Sequence, residues 1–194
     1  KLLLDSGADV NAQNNAGETA LLYAASRGAT ASVSLLLDSG ADVNAKDKTF
    51  GNNALMRAAG DDRHIETLDL LLYRGADINA KNIYGHTALI SAVNSGEKET
   101  VAFLLSKGAD ADAKDSQGKT ALDHSNRWGG RFFGVGITAL ITNHIKKTTL
   151  PDHVQEHVDK AKTHVHSGEG EEPKQAHKPH ANLASKTNNN TRKR

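Results

Sequence analysis

An eleven-residue stretch, LLLDSGADVNA, occurs twice in this chain, at residues 2–12 and again at residues 35–45. Looser versions follow as LLLYRGADINA at 70–80 and LLSKGADADA at 104–113. The glycine of the shared Gly-Ala-Asp marker recurs after 33, 35 and 33 residues, at positions 7, 40, 75 and 108. Such a period predicts repeated supersecondary units that bury their apolar faces against their neighbours.

A second marker is interleaved with the first. It reads GETAL at 17–21, GNNAL at 51–55, GHTAL at 85–89 and GKTAL at 118–122, so its spacings are 34, 34 and 33 residues. Two interleaved markers of this kind, held over four units, resemble the ankyrin repeat. The resemblance implies a mainly α fold, an ankyrin-repeat solenoid of stacked helix-turn-helix units with projecting β-hairpin loops, followed by a short helix and a disordered tail.

The resemblance covers roughly residues 1–145, which we interpret as an ankyrin repeat domain. Three complete repeats occupy 13–45, 46–80 and 81–113, the end of an earlier repeat occupies 1–12, and a degenerate C-terminal repeat occupies 114–145. Because the chain opens within a repeat, we expect a fragment of a longer protein. The family's Thr-Pro-Leu-His pattern is altered here, since the histidine position holds Leu22, Met56, Ile90 and Asp123.

The residue types at the marker positions also have a local chemical explanation. A hydroxyl or amide oxygen before each first helix can accept a bond from an unpaired backbone N–H, and the residues at that position are Thr19, Asn53, Thr87 and Thr120. A glycine after each second helix suits a left-handed backbone, and these are Gly40, Gly75 and Gly108. The second helices carry aliphatic stripes, and the pattern predicts that Leu71 in the central one lies in the core.

The second and last repeats depart from the period. The second gains residues near 48–50 and near 60–63, and insertions in solenoids often mark a binding face. In the last repeat the segment between the helices swells to WGGRFFGVG, which predicts a C-terminal cap. We expect a helix through Ile137, Leu140, Ile141 and Ile145 to close it.

Composition changes beyond the repeats. We interpret residues 146–166 as a linker with a possible amphipathic helix, which either packs on the end of the stack or binds a partner as a coiled coil. Residues 167–194 contain few large apolar side chains, so we expect a disordered polar tail.

Several function classes find little support in the sequence. There is no cysteine, the formal net charge is +1, and no apolar run is long enough to span a bilayer. His153 and His157 have the spacing of paired metal ligands, with His164 and His166 further on, but the glutamate of an HExxH motif is missing and the chain has no cysteine. We therefore expect surface histidines, with no metal, cofactor or small-molecule substrate. No catalytic constellation is recognisable, nucleic-acid binding by the short basic end TRKR is weakly supported, and we expect an intracellular, cytoplasmic monomer.

Protein binding remains as the leading hypothesis. The resemblance implies a module or scaffold that binds a partner protein through loop tips and the concave face of first helices. Tail-mediated metal or nucleic-acid binding, with the repeats as a structural base, is the alternative. The apolar tip residues could equally pack only on each other. Matching repeat positions predict the contacts Arg27, Phe50, Arg57, Ile83, Tyr84, His86 and Asn94.

Overall fold

A computed structural model describes residues 5–126 and 132–149 of the chain, all within one structural unit, Lys1–Leu150. A short 3₁₀ turn, Asp62–His64, precedes the fourth of the helices bounded within these ranges. Those helices are α1 (Ala20–Ser26), α2 (Thr30–Asp38), α3 (Ala54–Ala58), α4 (Ile65–Tyr73), α5 (Ala88–Ser95), α6 (Lys98–Ser106), α7 (Ala121–Asn126) and α8 (Phe132–Thr149).

The described residues contain no β-strand, so the segments expected as β-hairpins are turns. Each is closed by two backbone hydrogen bonds, as where the Asn82 N–H donates to the His86 carbonyl at 3.0 Å and the Gly85 N–H donates to the Asn82 carbonyl at 2.9 Å. A two-stranded ladder needs several such bonds in register, and the next residues already enter a helix cap. Only the local geometry of the tips differs from the expectation. The described residues are mainly helical, as expected.

The helices pack as pairs in chain order. Within each repeat α1 contacts α2, α3 contacts α4, α5 contacts α6 and α7 contacts α8, while the first helices touch in the order α1, α3, α5, α7. Their contact surfaces are made of one large aliphatic residue and small neighbours, for example Leu55 beside Ala58 and Ala59, all buried. Small side chains let successive helices approach closely, so the core runs continuously from repeat to repeat.

Each complete repeat begins its first helix with a side-chain cap. Thr19 and Thr87 accept hydrogen bonds from the backbone N–H three residues on at 3.3 Å, and Asn53 does so at 2.9 Å. Thr120 forms a reciprocal pair, since its own N–H donates to the Asp123 carboxylate at 2.9 Å while its hydroxyl accepts from the Asp123 N–H at 3.4 Å. These bonds satisfy donors that the first helical turn leaves unpaired.

The insertion in the second repeat caps a helix of the third. Glu97 at the start of α6 makes no side-chain cap of its own. Instead the Asp62 carboxylate accepts from the N–H groups of Thr100 at 2.7 Å and Glu99 at 3.4 Å. Glu97 returns a bond by accepting from the Asp62 N–H at 3.1 Å. A carboxylate at a helix N-terminus is favourably placed, because it lies beside unpaired backbone N–H groups. The inserted segment of the second repeat therefore joins it to the third through Asp62.

The segment after each second helix is held by an asparagine from the repeat before. Asn44 accepts from the Asp77 N–H at 3.0 Å and donates to the Gly75 carbonyl at 3.3 Å. Gly75 has φ of +89°, as Gly40 does, a left-handed conformation that strains any residue with a Cβ. The glycine turns the chain, and the asparagine fixes the turn to its neighbour.

The last helix of the described residues, α8, packs on the stack. Ile137 and Ile141 are fully buried and Ile145 packs against the core, while Leu140 is partly exposed. The helix already begins at Phe132, so the second half of the expected WGGRFFGVG loop is helical, which corrects that expectation. It also runs to Thr149, past the expected domain end at 145. The rest of the expected linker and amphipathic helix, residues 150–166, and the tail at 167–194 lie outside the described residues.

Replacing Leu71 with alanine tests the core. Leu71 is fully buried in α4, so Leu71→Ala is expected to lower the free energy of unfolding by about 2 to 5 kcal/mol through lost burial and a cavity. Tyr73 on the same helix is 85% exposed, and Tyr73→Ala is expected to change it by less than about 0.5 kcal/mol. Urea titration measures both, and equal losses would contradict the assignment.

The caps can be tested by exchange between repeats. Thr87→Ala removes the acceptor for the Ile90 N–H and is expected to cost about 1 kcal/mol. Thr87→Asn is expected to be nearly neutral, because Asn53 makes the same bond in the second repeat. Thermal unfolding of the two variants beside wild type decides the point, and a loss of the same size for both would remove capping as the explanation.

Candidate functional site

Every turn tip is organised by one side-chain oxygen. The first residue of each turn accepts two backbone N–H groups from the same turn through Oδ1, at distances between 2.6 and 3.1 Å. Asparagine and aspartate are the residues that suit this geometry. They are Asn14, Asp47, Asn82 and Asp115.

Successive tips are joined to one another through the backbone. The N–H groups of Lys48, Ile83 and Ser116 donate to the carbonyls of Ala16, Phe50 and Tyr84, at 2.9, 3.0 and 2.9 Å. The approach is close enough to require glycine, since a Cβ on Gly85 would lie 2.6 Å from the Ser116 nitrogen. The tips therefore form a continuous rim in which each residue's neighbours are fixed.

Three apolar side chains form a patch on this rim. Phe50, Ile83 and Tyr84 are 45%, 61% and 48% exposed, and we call them the tip patch. The rings of Phe50 and Tyr84 stand 6.3 Å apart between centroids. The two rings thus pack on each other, and all three side chains remain open to solvent.

The ring contacts continue inward from the tip patch. His86 lies 6.0 Å from the Tyr84 ring and 5.2 Å, edge to face, from the ring of His124. His86 is about a quarter exposed (27%), and His124 is largely buried. This row passes from the tip of the third repeat to the first helix of the fourth.

The family of these repeats is shown by comparison with known proteins. A sequence profile described as Ankyrin repeats (3 copies) matches residues 1–82 and 55–135. The chain belongs to the ankyrin repeat family. Ankyrin repeats are generally protein–protein interaction modules, and the family is typically non-enzymatic. A search of curated proteins found no match.

The length and composition of the described helices also bear on membrane insertion. Among residues 5–126 and 132–149, none of the helices has the length and apolar character that crossing a membrane requires.

Arg57 of this ankyrin chain, predicted as a contact residue, lies in an ion-pair cluster. Its guanidinium donates to Glu18 at 2.8 Å and to Asp47 at 3.0 Å, and its side chain is 24% exposed. Hydrogen bonds from Asn14 and Arg57 lower the pKa of the Glu18 carboxyl. Burial raises the pKa of Asp47, but the Phe50 N–H and Arg57 outweigh it and hold the pKa below its usual value. Arg57 thereby connects the first and second ankyrin repeats.

Two other predicted contacts take different positions. Arg27 is exposed just after α1, with its guanidinium 5.7 Å from the Tyr23 ring centroid. Asn94 is half-buried, and its Oδ1 lies 3.0 Å from Nδ1 of His124. Arg27 is therefore available at the surface, whereas Asn94 serves to orient a histidine.

Sequence reasoning missed Asp115 and His124. Burial raises the pKa of Asp115, yet the Lys119 N–H and the His124 ring outweigh it and hold the pKa at about 2. Burial and His124 lower the pKa of His86. The signal that could have found them is positional, since His124 stands four residues after Thr120 just as Arg57 stands four after Asn53.

Two cavities open on different sides of the described ankyrin stack. One of about 520 Å³ is bounded by the ring row, with Tyr84, His86 and His124 in its wall. A larger groove of about 930 Å³ lies against the second helices, beside Leu70 and Tyr73. The larger groove has the greater volume. The smaller cavity, however, adjoins the tip patch and is lined by His86, Asp115 and His124, so the ionisable side chains are concentrated there.

Acid sensitivity of the Arg57 cluster follows from the lowered pKa values. Asp47 and Glu18 ionise more readily in the folded chain than at their ordinary values of 3.8 and 4.5. Their charge therefore stabilises the fold above about pH 4.5, and this contribution is lost as the pH falls through the lowered values. Asp47→Asn keeps the turn acceptor, as Asn14 and Asn82 do, but removes the charge.

We expect Asp47→Asn to be less stable than wild type at pH 7, with the difference narrowing as the pH is lowered from about 5 to about 3. Urea titrations at a series of pH values measure it. A difference that stays constant across that range would show that the ion pairs contribute no pH-dependent stability.

Proposed function

We propose that this ankyrin repeat chain is a scaffold that binds another protein through the tip patch and the adjoining concave face of a solenoid of first helices. The observation that carries the proposal is the exposure of Phe50, Ile83 and Tyr84 side by side on a rim whose backbone is fixed. Turn tips ordinarily carry polar residues. Aromatic side chains held in place lose little entropy on binding and are enriched among interface anchors.

The packing of the tip patch on itself supports the proposal. A ring pair 6.3 Å apart gains some stability from its own contact, about 0.5 to 1.5 kcal/mol. About half of the surface of each residue nevertheless stays in contact with water, which leaves apolar area for a partner to cover. Mutual packing and partner binding are thus compatible.

The remaining predicted contacts divide by their place in the structure. Arg27 and His86 are reachable at the surface and are proposed to contact the partner at the edge of the patch. Arg57 and Asn94 are engaged inside the stack with Asp47 and His124, so their proposed contribution is to hold the binding face in shape. The proposed partner is a different protein, bound by a monomer of this chain.

A matched pair of variants tests the proposal. In Phe50→Ser/Tyr84→Ser the tip patch loses both rings, while the control Tyr73→Ser removes another aromatic ring, which is 85% exposed. Wild type and both variants are used for affinity capture, a partner retained by wild type is identified by mass spectrometry, and its affinity is measured calorimetrically. The tip variant is expected to weaken binding by about 2 kcal/mol or more, and the control by less than about 0.5 kcal/mol.

Thermal unfolding of the same proteins separates binding from folding. The tip variant is expected to lose at most about 1.5 kcal/mol of stability, the upper value for a ring pair. If the tip variant loses more stability than this, the two rings are needed for the fold. Full stability together with unchanged affinity would move the binding face away from the tips, toward the first helices around Arg27.

A further inference from the structure

Three side chains from two repeats converge beside the smaller cavity. Asp115 Oδ2 lies 2.8 Å from His124 Nε2 and 3.8 Å from His86 Nε2. One ligand-type atom from each residue lies within 4.8 Å of the other two. His86 comes from the third repeat, and the other two come from the fourth.

The same three positions are occupied differently in the first half of the stack. Glu18 and His86 each follow the turn glycine, Asp47 and Asp115 each begin a turn, and Arg57 and His124 each stand four residues after the helix cap. In the Arg57 cluster a guanidinium lies between two carboxylates at 2.8 and 3.0 Å. In the second set two imidazoles replace the guanidinium and one carboxylate, and the 3.8 Å from His86 to Asp115 exceeds a hydrogen bond.

We infer that His86, Asp115 and His124 form a binding site for a divalent transition-metal ion of the zinc class, which clamps the third repeat to the fourth. Bonds of about 2.0 to 2.2 Å to a tetrahedral ion separate neighbouring ligand atoms by about 3.3 to 3.6 Å. The observed separations of 2.8 Å from Asp115 to His124 and 3.8 Å from Asp115 to His86 bracket that value, and all three ligand atoms lie within 4.8 Å of one another, so shifts of about an ångström complete the geometry.

Supporting contacts already orient two of the ligands. Asn94 Oδ1 lies 3.0 Å from His124 Nδ1, so Nδ1–H donates to the amide and Nε2 is the atom directed at the site. Asp115 Oδ1 accepts from the N–H groups of Gln117 and Lys119 at 2.8 and 2.9 Å, which leaves Oδ2 as a single ligand atom.

The donor set selects the class of ion. Two imidazole nitrogens and one carboxylate oxygen suit zinc and its neighbours, whereas calcium and magnesium take oxygen ligands. Three protein ligands leave a fourth position, which water from the 520 Å³ cavity fills. Because Tyr84 also lines this cavity, the bound ion lies next to the tip patch.

Isothermal titration of the full chain with zinc chloride tests the site, with four proteins compared. Wild type and the tail variant His153→Gln/His157→Gln are expected to share one tight equivalent. His86→Gln and Asp115→Asn are each expected to weaken that equivalent by at least about tenfold, since each removes a ligand. Asp115→Asn retains the turn acceptor that Asn14 and Asn82 provide elsewhere, and His86 is partly exposed, so both variants are expected to fold.

Two further measurements make the result decisive. Circular dichroism in a chelator checks that each variant is folded without metal. Cobalt(II) chloride reports geometry, and wild type and the tail variant are expected to give the strong visible absorption of a four-coordinate ion, which His86→Gln loses. Equal zinc affinity in wild type and His86→Gln, or loss of the tight equivalent in the tail variant alone, would place the ion elsewhere and overturn the inference. The partner-binding test replaces Phe50 and Tyr84 and leaves all three metal ligands in place, so the two proposals can fail independently.

Discussion

Short helices that cannot stand alone are the constraint on which the described stack depends. From α1 to α6 they are five to nine residues long, well below the length at which an isolated helix is stable in water. Each must gain its stability from the repeats beside it. The buried stripes around Leu55, Leu71 and Leu89 provide the apolar part of that contact, and polar side chains provide the register.

The polar contacts between repeats follow one logic with different residues. Asn44 fixes the turn of the next repeat, Asp62 caps the next repeat's second helix, and Arg57 pairs with a carboxylate of the previous repeat. Each of these side chains forms a hydrogen bond or an ion pair with a group that the short helices leave unpaired. An isolated exposed ion pair contributes little, but the same pair between repeats also defines how one repeat sits on another. The His86, Asp115 and His124 set occupies the corresponding place at the end of the stack.

This arrangement lets folding and binding use different residues. The core and the inter-repeat contacts lie beneath the rim, while Phe50, Ile83 and Tyr84 are held on it by backbone hydrogen bonds that do not depend on their side chains. Residues other than proline, which would remove a donating backbone N–H, could therefore occupy those tip positions without breaking these backbone bonds. That freedom is what makes a repeat stack adaptable to different partners.

The sequence by itself determined the ankyrin repeats, the helix caps at Thr19, Asn53 and Thr87 and the glycine turns at Gly40 and Gly75, because these depend on local patterns that recur with a fixed period. It also located the apolar tip residues, since they depart from the polar default. Only the tertiary structure decided that the projecting loops are turns, that Asp62 caps a neighbouring helix, and that Arg57 and Asn94 are engaged inside the stack. It alone brought His86 to Asp115 and His124, which are 29 and 38 residues further along the chain (115 − 86 and 124 − 86). The physical reason is that contacts between repeats join residues about one period apart, where no local pattern in the sequence links them.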